Sequence, residues 1–578
     1  MKLRCGILSV ASLGCLLAAL GTCEIAVGFE GEPLNLVPGQ VLSVQDTFDG
    51  KPFTYEVVEI EVKEHCLVAH LRYPSPVVCD LPQNNIIPVE YYLPKSVTAA
   101  QVRHPAVICL HILDGSLELV RMLASVLASR GVPAIVFPLP YYGPRGASDG
   151  PYRILGDPQR FIAVLEQAFL EVRRGVDFLA SRPEVDPQHI GVAGISLGAI
   201  IAASAAEREP RVYKAGLILA GGNLRQIVET AREAAPLRHF IASLGDEQRD
   251  VIWKTLGEVD PLSHANSLKD RAQQGQVLMI NAAEDEVIPR ICTEQLAEAL
   301  GISERVVWLP DLGHYTAIAA LPHILDRMVV FFASDLPSDL RTEESLSETT
   351  TPLQLISNTI QQLTAFYLRE PSENCAHIGQ IKVHIDRDEY SLLLIRGHGQ
   401  RFRIEARASG FGQFMLGQRD YPWLMARSGL VFVGEPEASK EPQSPLVFVN
   451  SSILERARFA ILAISGLSAS PAALEALIRI KEEKQEAETR TIVVSTTDAK
   501  NPLALRLEYP TSGSIPHVVR LEGVEQQIHV EIAGWQIDTP VSAQVFVPPS
   551  DKPKKVVSRI DLYRMYGAVI NFLAEMVP

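Results

Sequence analysis

Three short stretches carry side chains that together could perform acyl transfer. Ser196 lies in Gly194-Ile195-Ser196-Leu197-Gly198, a G-x-S-x-G pattern; Asp285 lies in Ala283-Glu284-Asp285-Glu286; His314 follows Gly313. A serine hydroxyl is a weak nucleophile at neutral pH. It needs a base to take its proton, and the base needs an anion to orient it and stabilise its charged form. Serine, then acid, then histidine is the chain order expected when the serine is presented on a strand-to-helix turn. Glu284 and Glu286 compete with Asp285 for the acid's place. The tetrahedral intermediate of such a reaction also needs two N–H donors aimed at its oxyanion. Leu197, just after the nucleophile, is expected to supply one. The stretch His111-Ile112-Leu113-Asp114-Gly115 is expected to supply the other, from Leu113 with Ile112 as its rival.

These residues need elements to hold them. His189–Ala193 reads as a short apolar strand, and Ala199-Ile200-Ile201-Ala202-Ala203 opens a helix of small residues. Strand, pentapeptide and helix are the context in which the pattern means a nucleophile elbow. Glycines two residues either side of the serine fit, because a Cβ there would meet the neighbouring strand or helix. Buried strands are expected at Ala106–Leu110, Ala134–Pro138, Ala215–Ala220, Val277–Asn281 and Arg305–Leu309, with helices at 117–129, 161–179, 292–300 and 316–332 between or after them. That alternation predicts a doubly wound, mostly parallel α/β sheet, whose ligands bind beyond the strands' carboxyl ends. Ser196, Asp285, His314 and the loop after Leu110 all fall at that edge. His189 falls at the opposite edge, and His239 and His264 lie in a polar helical insertion, 223–272, that could cap the sheet as a lid.

The whole chain sets bounds. It has 578 residues and a net charge of −15, which argues against nucleic acid or an anionic membrane as a partner. Met1-Lys2-Leu3-Arg4 and the apolar run Cys5–Cys23 read as a secretory signal peptide over 1–28, with an uncleaved anchor as the alternative, so the protein is expected to be secreted, periplasmic or in the cell envelope. No later stretch is expected to span a membrane. Cleavage would leave five cysteines, too few and too sparse for a disulfide framework; Cys66 and Cys79 either pair across a turn or stay free. No Cys/His cluster has metal-ligand spacing, so no metal is expected.

The hydrolase-like part is expected over 29–333, followed by an acidic linker over 334–352. Residues 353–578 predict an α+β accessory domain with an antiparallel sheet. Its expected helices are 353–367, 453–464, 471–486 and 559–575, and a late strand is expected at 541–547.

Residues 30–333 resemble the α/β-hydrolases of the dienelactone hydrolase and acetyl-xylan-esterase type. The resemblance is carried by Leu110-His111, Ser196 in its pentapeptide, Asp285 four residues before Pro289, Gly313-His314, Arg121–Gly131 and the loop Pro140–Arg145. It implies cofactor-free hydrolysis of a small-molecule or carbohydrate ester by Ser196, His314 and Asp285. Ile112 stands where that group has glycine, which bears on the second oxyanion donor. Two rivals are a serine peptidase of the prolyl-oligopeptidase type, though no propeller repeats precede the domain, and a lipid- or lipoprotein-binding protein with an inactive hydrolase domain. The C-terminal part resembles the lipoprotein-carrier fold through helix Leu353–Tyr367, the strand series and Val545-Phe546-Val547-Pro548-Pro549, which implies an apolar ligand there.

Overall fold

The structure, a computed structural model, describes residues 36–47, 49–95, 102–146, 154–336, 351–399, 401–408, 412–435, 470–485, 489–496, 504–510, 513–522 and 527–576. The expected leader, most of the linker and the expected helix at 453–464 lie outside these residues. The described chain falls into two compact units, within 26–346 and 347–578.

The first unit is built on a ten-stranded sheet. Its strands are β1 Val41–Gln45, β2 Pro52–Val62, β3 Cys66–Pro74, β4 Ile86–Pro94, β5 His104–Leu110, β6 Ala134–Val136, β7 Val185–Ile195, β8 Val212–Ile218, β9 Val277–Ala282 and β10 Val307–Leu309. Their spatial order is β1-β2-β3-β4-β6-β5-β7-β8-β9-β10. The first four pair antiparallel, and β4 pairs antiparallel with β6. From β6 to β10 every pairing is parallel. The chain skips a place from β4 to β5, returns to fill it with β6, then crosses to β7 on the far side. This reversal is the switch point beside which doubly wound sheets open a crevice.

Both faces of the parallel part are covered, so its strands read as continuous apolar runs: all seven residues of β5 are buried. The helices of seven residues or more are α1 Glu118–Ser129, α2 Pro158–Ser181, α3 Leu197–Arg208, α4 Leu224–Thr230, α5 Ala235–Ser243, α6 Asp246–Glu258, α7 Arg290–Ala299 and α8 Leu321–Ala333. Helix α2 starts at Pro158, three residues before the expected Phe161, because the Asp157 carboxylate accepts from the Gln159 and Arg160 N–H groups. In α3, Ala199, Ala202, Ala203, Ala205 and Ala206 are fully buried, and small side chains of this kind let a helix approach a sheet closely. The expected helix at 316–332 is a 3-10 turn, Thr316–Ala320, running into α8. By length and hydropathy Thr316–Ala333 could cross a membrane, contrary to expectation. A third of this stretch is buried in the unit, including Leu321, Ile324, Leu325, Met328 and Phe332. Cys66 and Cys79 are both free thiols.

The second unit holds a twelve-stranded sheet. Its strands are β11 Cys375–Ile385, β12 Asp388–Gly397, β13 Phe402–Ala408, β14 Gly412–Gln418, β15 Pro422–Met425, β16 Val431–Gly434, β17 Ile478–Gln485, β18 Thr489–Thr496, β19 Ala504–Pro510, β20 Val518–Glu522, β21 Ile528–Pro540 and β22 Lys554–Val557. All pairings are antiparallel except β16 with β22. Helix α9, Pro352–Leu368, is closed by a capping box between Thr351 and Gln354, and its Phe366 ring lies 4.4 Å from that of Trp535 on β21. Two expectations fail here. The helix expected over 471–486 stops at Leu477, because Ile478, Ile480 and Glu482 pair with Thr496, Val494 and Ile492 of β18. The strand expected over 541–547 is a 3-10 turn, Ala543–Phe546, started by the Ser542 hydroxyl accepting from the Gln544 N–H.

Candidate active site

Sheet register brings the three chemical stretches together. Leu110, at the end of β5, is level with Gly194 on β7, so the loop after β5 opens beside the elbow. Ser196 follows β7 directly and caps α3 with φ 55° and ψ −116°, a left-sided conformation that costs a non-glycine residue about 1–3 kcal/mol. Its surroundings hold it there: the Ser196 N–H donates to the Ile218 carbonyl at 2.8 Å, and the Ser196 carbonyl accepts from the Ala199 and Ile200 N–H groups at 2.9 and 3.1 Å. The flanking glycines are needed for close approach. A Cβ on Gly194 would overlap the backbone of Gly198, and one on Gly198 would overlap the carbonyls of Leu110 and His111.

Asp285 and His314 follow β9 and β10, and two backbone bonds tie their loops: Ala283 N–H to the Leu309 carbonyl (3.0 Å) and Glu284 N–H to the Leu312 carbonyl (2.9 Å). His314 Nε2 is 2.9 Å from the Ser196 hydroxyl, and its Nδ1 is 2.9 and 3.0 Å from the two carboxylate oxygens of Asp285. Asp285 Oδ1 also accepts from the N–H groups of Val287 and Ile288, which fix the carboxylate's plane. Its side chain is 2% exposed, and that of His314 9%. An Nδ1–H donated to Asp285 leaves Nε2 free to accept the serine proton. The rival carboxylates go elsewhere. Glu286 accepts from the backbone N–H of His314 at 2.8 Å, and so holds the histidine's loop rather than its ring.

The expected oxyanion donors line one cavity with Ser196. Leu197 is the first residue of α3, where an N–H has no intrahelical acceptor and the helix dipole favours negative charge. Leu113 lines the same cavity. Its loop is fixed by His111, whose Nδ1 donates to the Ile112 carbonyl (2.7 Å) while its Nε2 accepts from the Leu139 N–H (2.8 Å). Burial pushes the His111 imidazole down to about 4, helped by the nearby Arg145 guanidinium, so the ring is neutral at physiological pH. Arg145 is itself buried, bidentate on Glu171, and also donates to the carbonyls of Pro138 and Asn84.

The cavity measures about 70 Å³ and is almost wholly apolar. The insertion does form part of its wall, through Leu224, Ile227 and Val228 of α4 and Leu237 of α5. Buried Asp260 staples the insertion's base by accepting from the N–H groups of Asn223, Leu224 and Leu262. Glu233, between α4 and α5, is the cavity's one carboxylate. One of its oxygens bonds the Tyr315 hydroxyl, and the other has no hydrogen-bond partner among the described residues. A wider hollow of about 580 Å³ near Arg208, Lys254 and His264 lies at the far end of α3, away from Ser196. His189 pairs with Asp186 near the start of β7, and His264 is exposed. Sequence reading missed the roles of His111, Glu233 and Glu286, which depend on contacts between distant loops.

Residues 166–337, which contain Ser196, Asp285 and His314, match the prolyl oligopeptidase family, Peptidase_S9. No curated protein gives a significant match. Among solved structures, an acetyl xylan esterase from Paenibacillus sp. R4 aligns at 21% identity and a TM-score of 0.38, over 49% of this chain and 89% of its own. Acetyl xylan esterase 1 from Thermoanaerobacterium sp. JW/SL YS485 aligns at 18% identity and 0.34, over 50% and 88%. A cold-adapted esterase from an Arctic intertidal metagenomic library aligns at 16% identity and 0.31, over 48% and 98%.

Proposed function

We propose that this chain, whose first unit has the α/β-hydrolase fold, is an exported serine hydrolase that cleaves carboxylic esters through an acyl-enzyme. The observation carrying the reading is the unbroken relay Ser196–His314–Asp285, with 2.9 Å steps, opening onto an apolar cavity. Ser196 attacks the ester carbonyl as His314 Nε2 takes its proton. The oxyanion is received by the N–H groups of Leu197 and Leu113. His314 then protonates the leaving alcohol, and water repeats the sequence to release the acid. Asp285 holds the ring's tautomer and stabilises its charged form. A cavity of about 70 Å³ lined by leucine, isoleucine and valine suits a short apolar acyl group better than a peptide's amide-bearing one.

A second reading, a serine peptidase, is favoured by the family match and by the unpartnered oxygen of Glu233, which could receive a substrate's amine. The two are separated by comparing nitrophenyl esters of increasing acyl length with aminoacyl nitroanilides. The ester reading expects kcat/KM to peak at a short acyl chain, with the anilides at least about a hundredfold poorer. Anilides cleaved as well as esters, and lost in Glu233→Gln, would establish the peptidase instead. Export rests on the composition of residues 1–28 and is tested by the N-terminus of the mature protein.

A further inference from the structure

In the second unit, β11 and β21 pair so that His384 stands opposite His529 and Lys382 opposite Glu531. Both pairs therefore project from one face of the sheet. The two imidazoles are stacked, with ring centres 4.2 Å apart and planes 8° from parallel. Glu531 Oε1 is 3.5 Å from His384 Nε2 and 3.9 Å from His529 Nε2. Among the described residues, the buried His384 Nε2 has no hydrogen-bond partner. One potential ligand atom from each of the three residues falls within 4.8 Å of the others.

We propose that His384, His529 and Glu531 bind a single divalent cation of the zinc class, through the two imidazole Nε2 atoms and Glu531 Oε1, with water completing the shell. Zinc–nitrogen bonds of about 2.0–2.1 Å set neighbouring ligand atoms of a tetrahedron about 3.3 Å apart. The present 3.5 and 3.9 Å are close to that spacing, but an imidazole binds in its ring plane, so the two rings, now 8° from parallel, must also turn about their side-chain torsions until both planes contain the cation. Two imidazoles and one carboxylate are a donor set that zinc takes readily and that copper(II) also takes. Lys382 Nζ lies 3.5 Å from Glu531 Oε2, so it can hold that oxygen while Oε1 faces the cation.

The neighbouring strands add charge of both signs. Glu389 of β12 stands opposite His384, and Arg520 of β20 stands opposite His529 while bonded to Glu508 at 3.0 Å. The three residues belong to the second unit, and the reaction proposed for Ser196 uses none of them.

The test uses the full chain, stripped with a chelator and desalted, then titrated with zinc chloride near neutral pH by calorimetry. One cation per chain is expected, with Kd in the micromolar range or below, a rise in Tm of several degrees and loss of binding below about pH 6. His384→Ala and His529→Ala should each weaken binding at least about tenfold and abolish the Tm rise, while nitrophenyl ester hydrolysis stays unchanged. Should His384→Ala not fold, His529→Asn and Glu531→Gln read the same effect. Absence of binding at millimolar zinc, or binding unchanged in the variants, shows a stacked histidine pair beside an ordinary ion pair and overturns the proposal.

Discussion

At the scale of single residues, neighbouring carboxylates carry unequal weight. Asp285 bonds the His314 ring, whereas Glu284 does not, so Asp285→Asn should lower kcat by about 10⁴ and Glu284→Gln should leave it nearly unchanged. Glu286 acts through the His314 backbone. Its change to alanine should lower kcat roughly 10- to 100-fold with KM little altered, the signature of a displaced base; a change confined to KM would place Glu286 in substrate binding instead. His111 makes a pH prediction. Its folded-state value of about 4 lies below the ordinary 6.5, so between those pH values the unfolded chain holds a proton that the folded chain lacks. Stability contributed there is complete above 6.5 and is lost as pH falls toward 4, amounting to about 3 kcal/mol. Urea unfolding across this window should show a shallower pH slope in His111→Gln than in the natural protein. An equal slope would mean that the ring already titrates normally in the fold.

At the scale of elements, the insertion forms one wall of the cavity proposed to take the acyl group. Leu237 on α5 is buried and lines it, so Leu237→Ala should shift the preferred acyl length upward in a nitrophenyl ester series, at a stability cost of about 2–5 kcal/mol. An unchanged preference would place the acyl group outside this cavity. The strand-helix alternation of the first unit was legible because strands buried on both faces, such as Ala106–Leu110, leave an uninterrupted apolar run. The elbow was legible because close approach leaves glycine as its trace at 194 and 198. Other features left no local trace. Leu474–Lys484 carries apolar and charged residues compatible with either period, and pairing with β18 decides its second half. Tyr315 and Glu233 are 82 residues apart, and only the fold joins them. The same holds for His384 and His529, which is why no metal-ligand spacing was visible.

At the scale of the whole molecule, the two compact units predict that the hydrolase is separable. Lys214 bonds the side chains of Ser334 and Asp335, and Leu336 is buried, so the first unit extends at least to 336. A fragment of residues 29–336 should fold and cleave a small soluble ester at close to the rate of the full chain. A folded but inactive fragment would show that residues 347–578 complete the site. The central claim, that Ser196 is the nucleophile of an acyl-enzyme, is tested most directly by treating the full chain with a fluorophosphonate and locating the adduct by peptide mass spectrometry. The account predicts one adduct, on the peptide containing Gly194–Gly198 at Ser196, absent in Ser196→Ala together with all but a trace of ester turnover. An adduct on another serine, or labelling and turnover that survive in Ser196→Ala, would contradict it.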